Sequence, residues 1–181
     1  MWRLVTILSC LWLCGAQAQL LHDIKVLSAA QMQGRKTGTE GAALAQHFIA
    51  QRYASLQLSQ FSSDYRQTFS FGINNVAANI VGYQRGCTYP EHYIVVTAHY
   101  DHLGKQGHKV FHGADDNASG VAALLELAAR LTQSCPAYSY LFVATDAEEG
   151  GLHGSKAFVA APPVPLSKIV LNLNLDMISR A

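Results

Sequence analysis

Two uninterrupted apolar runs constrain this chain more than any other feature: Tyr93-Ile94-Val95-Val96-Thr97-Ala98 and Tyr140-Leu141-Phe142-Val143-Ala144. Both are rich in β-branched and aromatic residues, and neither alternates as a strand with one wet face would. Each reads as a strand buried on both faces, in the middle of a mixed or parallel sheet. A third strand spans Ile169 to Leu175. A helical pattern from about Ser119 to Leu131 separates the first two, with Val121, Leu124, Leu125, Ala128 and Leu131 on its apolar stripe. A second helix, from about Gly154 to Ala160, precedes the third strand.

Upstream, three glycines between Gly34 and Gly41 mark turns. Thr39 opens a helix to about Ser55, with Ala42, Leu44, Phe48, Ile49 and Tyr53 at near-helical spacing. Tyr65 to Phe71 alternates like a strand, and Asn79 to Tyr83 is a short strand closed by Arg85-Gly86. Strands alternating with helices predict an α/β sandwich, with a mixed, mostly parallel central sheet and helices on both faces. Ligands of such sheets gather at the carboxyl ends of the strands.

The polar residues with chemical potential fall at those ends. His99 and Asp101 follow one strand, Asp146 to Glu149 the next, and Asp176 the third. A neutral imidazole is a good zinc ligand, and a nearby carboxylate fixes its tautomer, yet a His-x-Asp pair is also an ordinary polar loop. In Gly113-Ala114-Asp115-Asp116-Asn117-Ala118-Ser119-Gly120, an aspartate before a helix suits a simple N-cap. It equally suits a carboxylate that touches two cations with its two oxygens. The pair Glu148-Glu149 fits an acidic turn, or one metal ligand beside one proton acceptor. Asp176 alone fits a turn cap as well as a ligand.

Length and composition bound the rest. The 181 residues suffice for one domain with a sizeable core. The formal net charge of +1 offers no field for nucleic acid or a membrane surface. Residues 1–18 read as a signal peptide: Arg3 gives a positive start, Leu4 to Leu13 an apolar stretch, and Ala16-Gln17-Ala18 a cleavage site. That predicts an exported protein, periplasmic or extracellular, with residues 19–181 as its catalytic domain. The rival, a lipoprotein held through Cys10 or Cys14, lacks a lipobox, so no stable membrane anchor is expected. Cys87 and Cys135 remain, either as a disulfide or as two thiols.

Taken in order, AHYDHLG, GADDNASG, the Glu-Glu pair before Gly-Leu-His-Gly-Ser, and NLDM resemble the aminopeptidase family with two co-catalytic zincs, the group of the bacterial leucyl aminopeptidases. The resemblance extends upstream through GRKTGTEG and NNVAANIVGY. It implies a zinc-exopeptidase sandwich and peptide substrates with a free N-terminus. It also implies roles. His99 and Asp176 bind one zinc, Asp116 bridges both, and Glu149 binds the second. Glu148 is the general base that later protonates the leaving amine, and Asp101 orients His99. Asp115 is a neighbour of the bridge. His102 and His112 are weaker candidates for facing the pocket; His22, His47, His92, His108 and His153 read as surface or packing residues.

The family's second zinc takes a further histidine well downstream of Asp176, and this chain has no histidine beyond His153. The expectation is therefore a fragment lacking the C-terminal part, with an aggregation-prone edge beyond the third strand. Rival readings are a glutaminyl cyclase of the same fold, a related zinc carboxypeptidase or deacylase, and an inactive binding module.

Overall fold

The computed structural model describes residues 17–180. The expected leader lies outside the described residues except for Gln17 and Ala18, which belong to a helix, α1, covering residues 17–27. Next come α2 (Glu40–Ser55), β1 (Arg66–Phe71), β2 (Asn75–Gln84) and β3 (Tyr89–His99). A small hairpin of β4 (Lys105–Gln106) and β5 (Lys109–Val110) leads to α3 (Gly120–Leu131). Then follow β6 (Tyr138–Thr145), α4 (His153–Ala160) and β7 (Ile169–Asn174).

Five strands form one sheet in the order β1-β2-β6-β3-β7. The β1–β2 and β2–β6 pairs are antiparallel, and the β6–β3 and β3–β7 pairs are parallel. The sheet is therefore mixed, and only β2 runs against the other strands. This is the mixed, mostly parallel arrangement expected from the sequence.

The two apolar runs become β3 and β6, side by side in the sheet, with Val95 opposite Leu141 and Val96 opposite Phe142. Because side chains alternate across a strand, each run supplies both layers. Val96, Ala98, Phe142 and Ala144 pack with Ala42, Ala45, Ile49 and Tyr53 of α2 and Val121, Leu124, Leu125 and Ala128 of α3. Val95, Leu141 and Val143 pack on the opposite face with Phe158 of α4 and Val164. Burying a side chain such as Leu124 or Leu125 contributes about 1.5–3 kcal/mol.

The α2 stripe differs in one position from its sequence reading: Leu44 is exposed and Ala45 takes the buried place. Thr39 is the N-cap of α2, accepting from the Ala42 amide at 3.4 Å, so the helix proper begins at Glu40. Cys87 and Cys135, just before the neighbouring strands β3 and β6, are joined in a disulfide. Among the described residues, no helix is long and apolar enough to cross a membrane.

Three parallel strands ending together place His99, the turn after Thr145 and the segment after Asn174 at one sheet edge. β7 is the outer strand there, with Leu171 and Leu173 exposed.

Candidate metal centre

The edge gathers two groups of donors around one carboxylate. His99 Nε2 lies 3.3 Å from Asp116 Oδ1 and 3.4 Å from Asp176 Oδ1. Tetrahedral zinc with bonds of about 2.0–2.1 Å holds neighbouring donor atoms about 3.3–3.4 Å apart, so this imidazole and these two oxygens fit a zinc ion. On the other side of Asp116, Oδ2 lies 3.6 Å from His102 Nδ1, which is 2.7 Å from Glu149 Oε1. Asp116 thus turns one oxygen toward each group, the disposition a bridging carboxylate needs. Both groups have their donor atoms within 4.8 Å of one another.

Buried polar residues hold these groups in place. Asp101 is buried, and its carboxylate accepts from the backbone amides of Glu148 at 3.0 Å and Glu149 at 3.2 Å. It therefore fixes the acidic turn. Toward His99 Nδ1, the Asp101 carbonyl oxygen at 3.2 Å is nearer than its carboxylate at 3.7 Å. Sequence reasoning linked Asp101 to His99 and missed its hold on the glutamates.

Arg35, from the glycine-rich loop, is fully buried. It donates to the carbonyls of Tyr100 (2.7 Å), His112 (2.9 Å), Gly113 (2.8 Å) and Leu27. Burial lowers its pKa to about 10, while Asp101, Asp116 and Glu149 oppose the shift, so it stays charged at neutral pH. One cation thereby ties the loop after β3 to the loop before α3.

The GADDNASG segment grips the chain after β7. Asn117 donates to the Leu175 carbonyl at 2.9 Å and accepts from Met177 N at 3.1 Å, so its side chain brackets Asp176. Ser119 Oγ accepts from Ile178 N at 3.3 Å, and Asp115 from Ser179 N at 3.2 Å. Gly120 has no room for a Cβ, which would meet Asn117 Oδ1 and the Leu175 carbonyl at 2.4 Å. Asp115 is thus a clamp for the segment that carries Asp176, and Asp116 alone faces both donor groups.

Asp146 is buried away from the cluster, accepting from Tyr100 Oη at 2.6 Å, Thr37 Oγ1 at 2.8 Å and Ala147 N at 2.8 Å. Burial raises its pKa against these hydrogen bonds. Its work is to anchor the start of the acidic turn. Of the weaker histidine candidates, His102 enters the site, whereas His112 is exposed and lies 2.8 Å from the Ser28 carbonyl. His22, His47 and His108 are exposed, and His153 packs against Phe71 with the rings tilted.

Charge follows from this crowding. Burial disfavours the charged form of His99, but Asp101, Glu148 and Asp176 outweigh it and raise the pKa to about 9. Glu148 is half-buried, and burial raises its carboxyl pKa, with Asp101, Glu149 and Asp176 adding to the shift and His99 opposing it. A groove of about 380 Å³ opens beside His99, Glu148 and Asp176, with Leu152, Phe158 and Val159 on its apolar wall.

A mixed sheet between helix layers, with imidazole and carboxylate donors at one strand edge, is the architecture of the zinc-exopeptidase sandwich. The fold is shared with a zinc aminopeptidase from Bacillus subtilis at a TM-score of 0.71 and 18% identity, over 89% of this chain and 69% of that one. It is shared also with a glutaminyl cyclase of Bacteroides thetaiotaomicron at 0.67 and 20%, over 90% and 61%. Residues 75–181 match peptidase family M28, and the chain belongs to that family. It is 31% identical over 179 residues to the aminopeptidase YwaD of Bacillus subtilis, an alignment covering 91% of this chain. The chain spans only 34% of the length of that relative.

Proposed function

We propose that the complete protein is a zinc-dependent aminopeptidase that removes residues from the free N-terminus of peptides. The observation that carries this reading is Asp116, whose two oxygens face two separate groups of imidazole and carboxylate donors. His99, Asp116 and Asp176 would hold one zinc, and Asp116 and Glu149 would share in a second. Zinc at such positions supplies Lewis acidity toward a carbonyl and toward water.

The chain's own residues supply the rest. Glu148, held at the mouth of the groove by Asp101, accepts a proton from the attacking water and returns it to the leaving amine. Its raised pKa suits both transfers. The acidic cluster also attracts a substrate's free α-amino group, which an internal peptide nitrogen does not offer. That preference would make the enzyme an exopeptidase. The leader-like residues 1–18 and the Cys87–Cys135 disulfide support an exported, oxidising destination.

The test is release of an aminoacyl-anilide chromophore by the complete protein, with and without chelator. Chelator-sensitive release is expected; its absence contradicts the proposal. Glu148→Gln should retain metal and lose roughly 100- to 10,000-fold in kcat. Wild-type turnover in that variant would remove the general-base role. Cyclisation of an N-terminal glutaminyl peptide without anilide hydrolysis would favour a cyclase instead.

A further inference from the structure

Two cavities flank the acidic turn, and their charges differ. The groove beside His99, Glu148 and Asp176 has no lysine or arginine on its lining. A second cavity, of about 400 Å³, opens beside Glu149 and carries one ammonium, that of Lys36, together with Phe71, Asn75 and Leu103. We infer that Lys36 binds a carboxylate on the residue that follows the scissile bond, so that the preferred substrates are dipeptides or peptides with an acidic second residue. This rests on the aminopeptidase reading above.

The neighbours of Lys36 hold it in place. Arg35 before it is anchored on four carbonyls, and Thr37 after it donates to Asp146 Oδ1 at 2.8 Å. The Lys36 carbonyl accepts from Thr39 N at 3.1 Å and from Thr39 Oγ1 at 2.6 Å. Its stem lies along Gly104, where a Cβ would stand 2.6 Å from Lys36 Cβ and 3.2 Å from Lys36 Cδ. Gly104 also has φ +78°, which a side chain would strain. The Lys36 side chain is exposed, yet its base and stem are directed by the fold.

The ammonium is also unpaired. Among the described residues the ion pairs use arginine or histidine, and Lys36 enters none of them. The nearby carboxylates are occupied elsewhere: Asp101 accepts from two backbone amides, and Glu149 faces His102 at 2.7 Å. A cation without a partner on the wall of a cavity favours an incoming anion.

Charge sets the direction of the peptide. The free α-amino group is drawn to Glu148 and Asp176 in the first groove. Glu148 and Glu149 are adjacent in the chain and line successive cavities, so the next residue enters the second. There Phe71 and Leu103 offer its side chain an apolar wall, Asn75 offers an amide donor, and Lys36 meets its carboxylate. In a dipeptide that carboxylate is the C-terminus; in a longer peptide it is an aspartate or glutamate side chain.

The test compares kcat/KM for paired peptides on the zinc-loaded complete protein, so that each ratio is independent of the fraction of active enzyme. Leucyl-leucine is measured against its C-terminal amide, and leucyl-glutamate α-amide against leucyl-glutamine α-amide. The parent protein, Lys36→Met and Lys36→Arg are compared, with circular dichroism to check that each is folded. The parent should favour the carboxylate by about 5- to 10-fold, mostly in KM, the effect of one ion pair at a partly hydrated site. A preference in the first pair alone assigns the C-terminus, and in the second alone the acidic side chain. Lys36→Met should bring the ratio to about one, and Lys36→Arg should keep it. Ratios of about one in the parent, or a preference unchanged in Lys36→Met, would overturn the assignment, and with aminoacyl-anilide still cleaved the aminopeptidase reading would stand. No hydrolysis of any peptide or anilide would overturn both.

Discussion

The two sides of the site are held in different ways. The ends of β3 and β6 lie in the middle of the sheet and are fixed by buried polar groups. Arg35 ties four carbonyls together, and Asp101 and Asp146 pin the acidic turn. The end of β7 lies at the sheet's outer strand, and the Asp176 side chain is 43% exposed. Its segment is steadied by one clamp, made of Asn117, Ser119 and Asp115. His99, Glu148 and Glu149 therefore form a preorganised half, and Asp176 is delivered to it by the same turn that carries Asp116. The contrast explains why GADDNASG must be so small and polar: it sets Asp116 between the two donor groups and also seats the last strand.

Breaking the buried half should cost most. Arg35→Met removes a cation shared by several buried carbonyls and leaves them unpaired, with an expected loss of about 4 kcal/mol, read from urea denaturation midpoints. Asp101→Ala comes next, at about 2–3 kcal/mol, because two amides lose their acceptor. It should also weaken metal binding at the Glu149 side, whereas Asp101→Asn, which keeps one acceptor oxygen, should recover part of both.

Breaking the clamp should cost less stability and act on the other side. Asn117→Ala is expected to lose about 1–2 kcal/mol and to speed hydrogen exchange at Met177 and Ile178. The amides of Glu148 and Glu149 should exchange as before. Equal acceleration at both places would mean that the two halves are one unit.

A further expected effect is a pH dependence of the metal-free chain. His99 is raised from 6.5 to about 9, so its protonated form is favoured by folding. Its contribution to stability is complete below about pH 6.5 and is lost as pH rises through about 9. His99→Gln should flatten that part of the melting-temperature profile.

What was legible in the sequence cuts across that division: each half had residues that stood out and residues that did not. Tyr93–Ala98 and Tyr140–Ala144 declared themselves because a strand buried on both faces must be continuously apolar. His99, Asp116, Glu148, Glu149 and Asp176 stood out by their place at strand ends or before a helix. Arg35 did not, because nothing local distinguishes a loop arginine that faces water from one drawn inward by four carbonyls. Asp146 looked like one more member of an acidic turn, and only the packing of Tyr100 and Thr37 against it shows that it points into the core. Asn117 and Ser119 read as parts of a helix start, since their partners lie some sixty residues away. His102 was visible as a neighbour of the motif, but its direction depends on Gly113, where a Cβ would stand 2.6 Å from His102 Cδ2.

The central claim is that Asp116 lies between two metal positions. A crystal structure of the zinc-loaded protein, with anomalous diffraction collected at the zinc edge, tests it directly. The account predicts two peaks about 3.5–4 Å apart, one beside His99 and Asp176 and the other beside Glu149, with the Asp116 carboxylate between them. A single peak, or peaks that Asp116 does not touch, would contradict it.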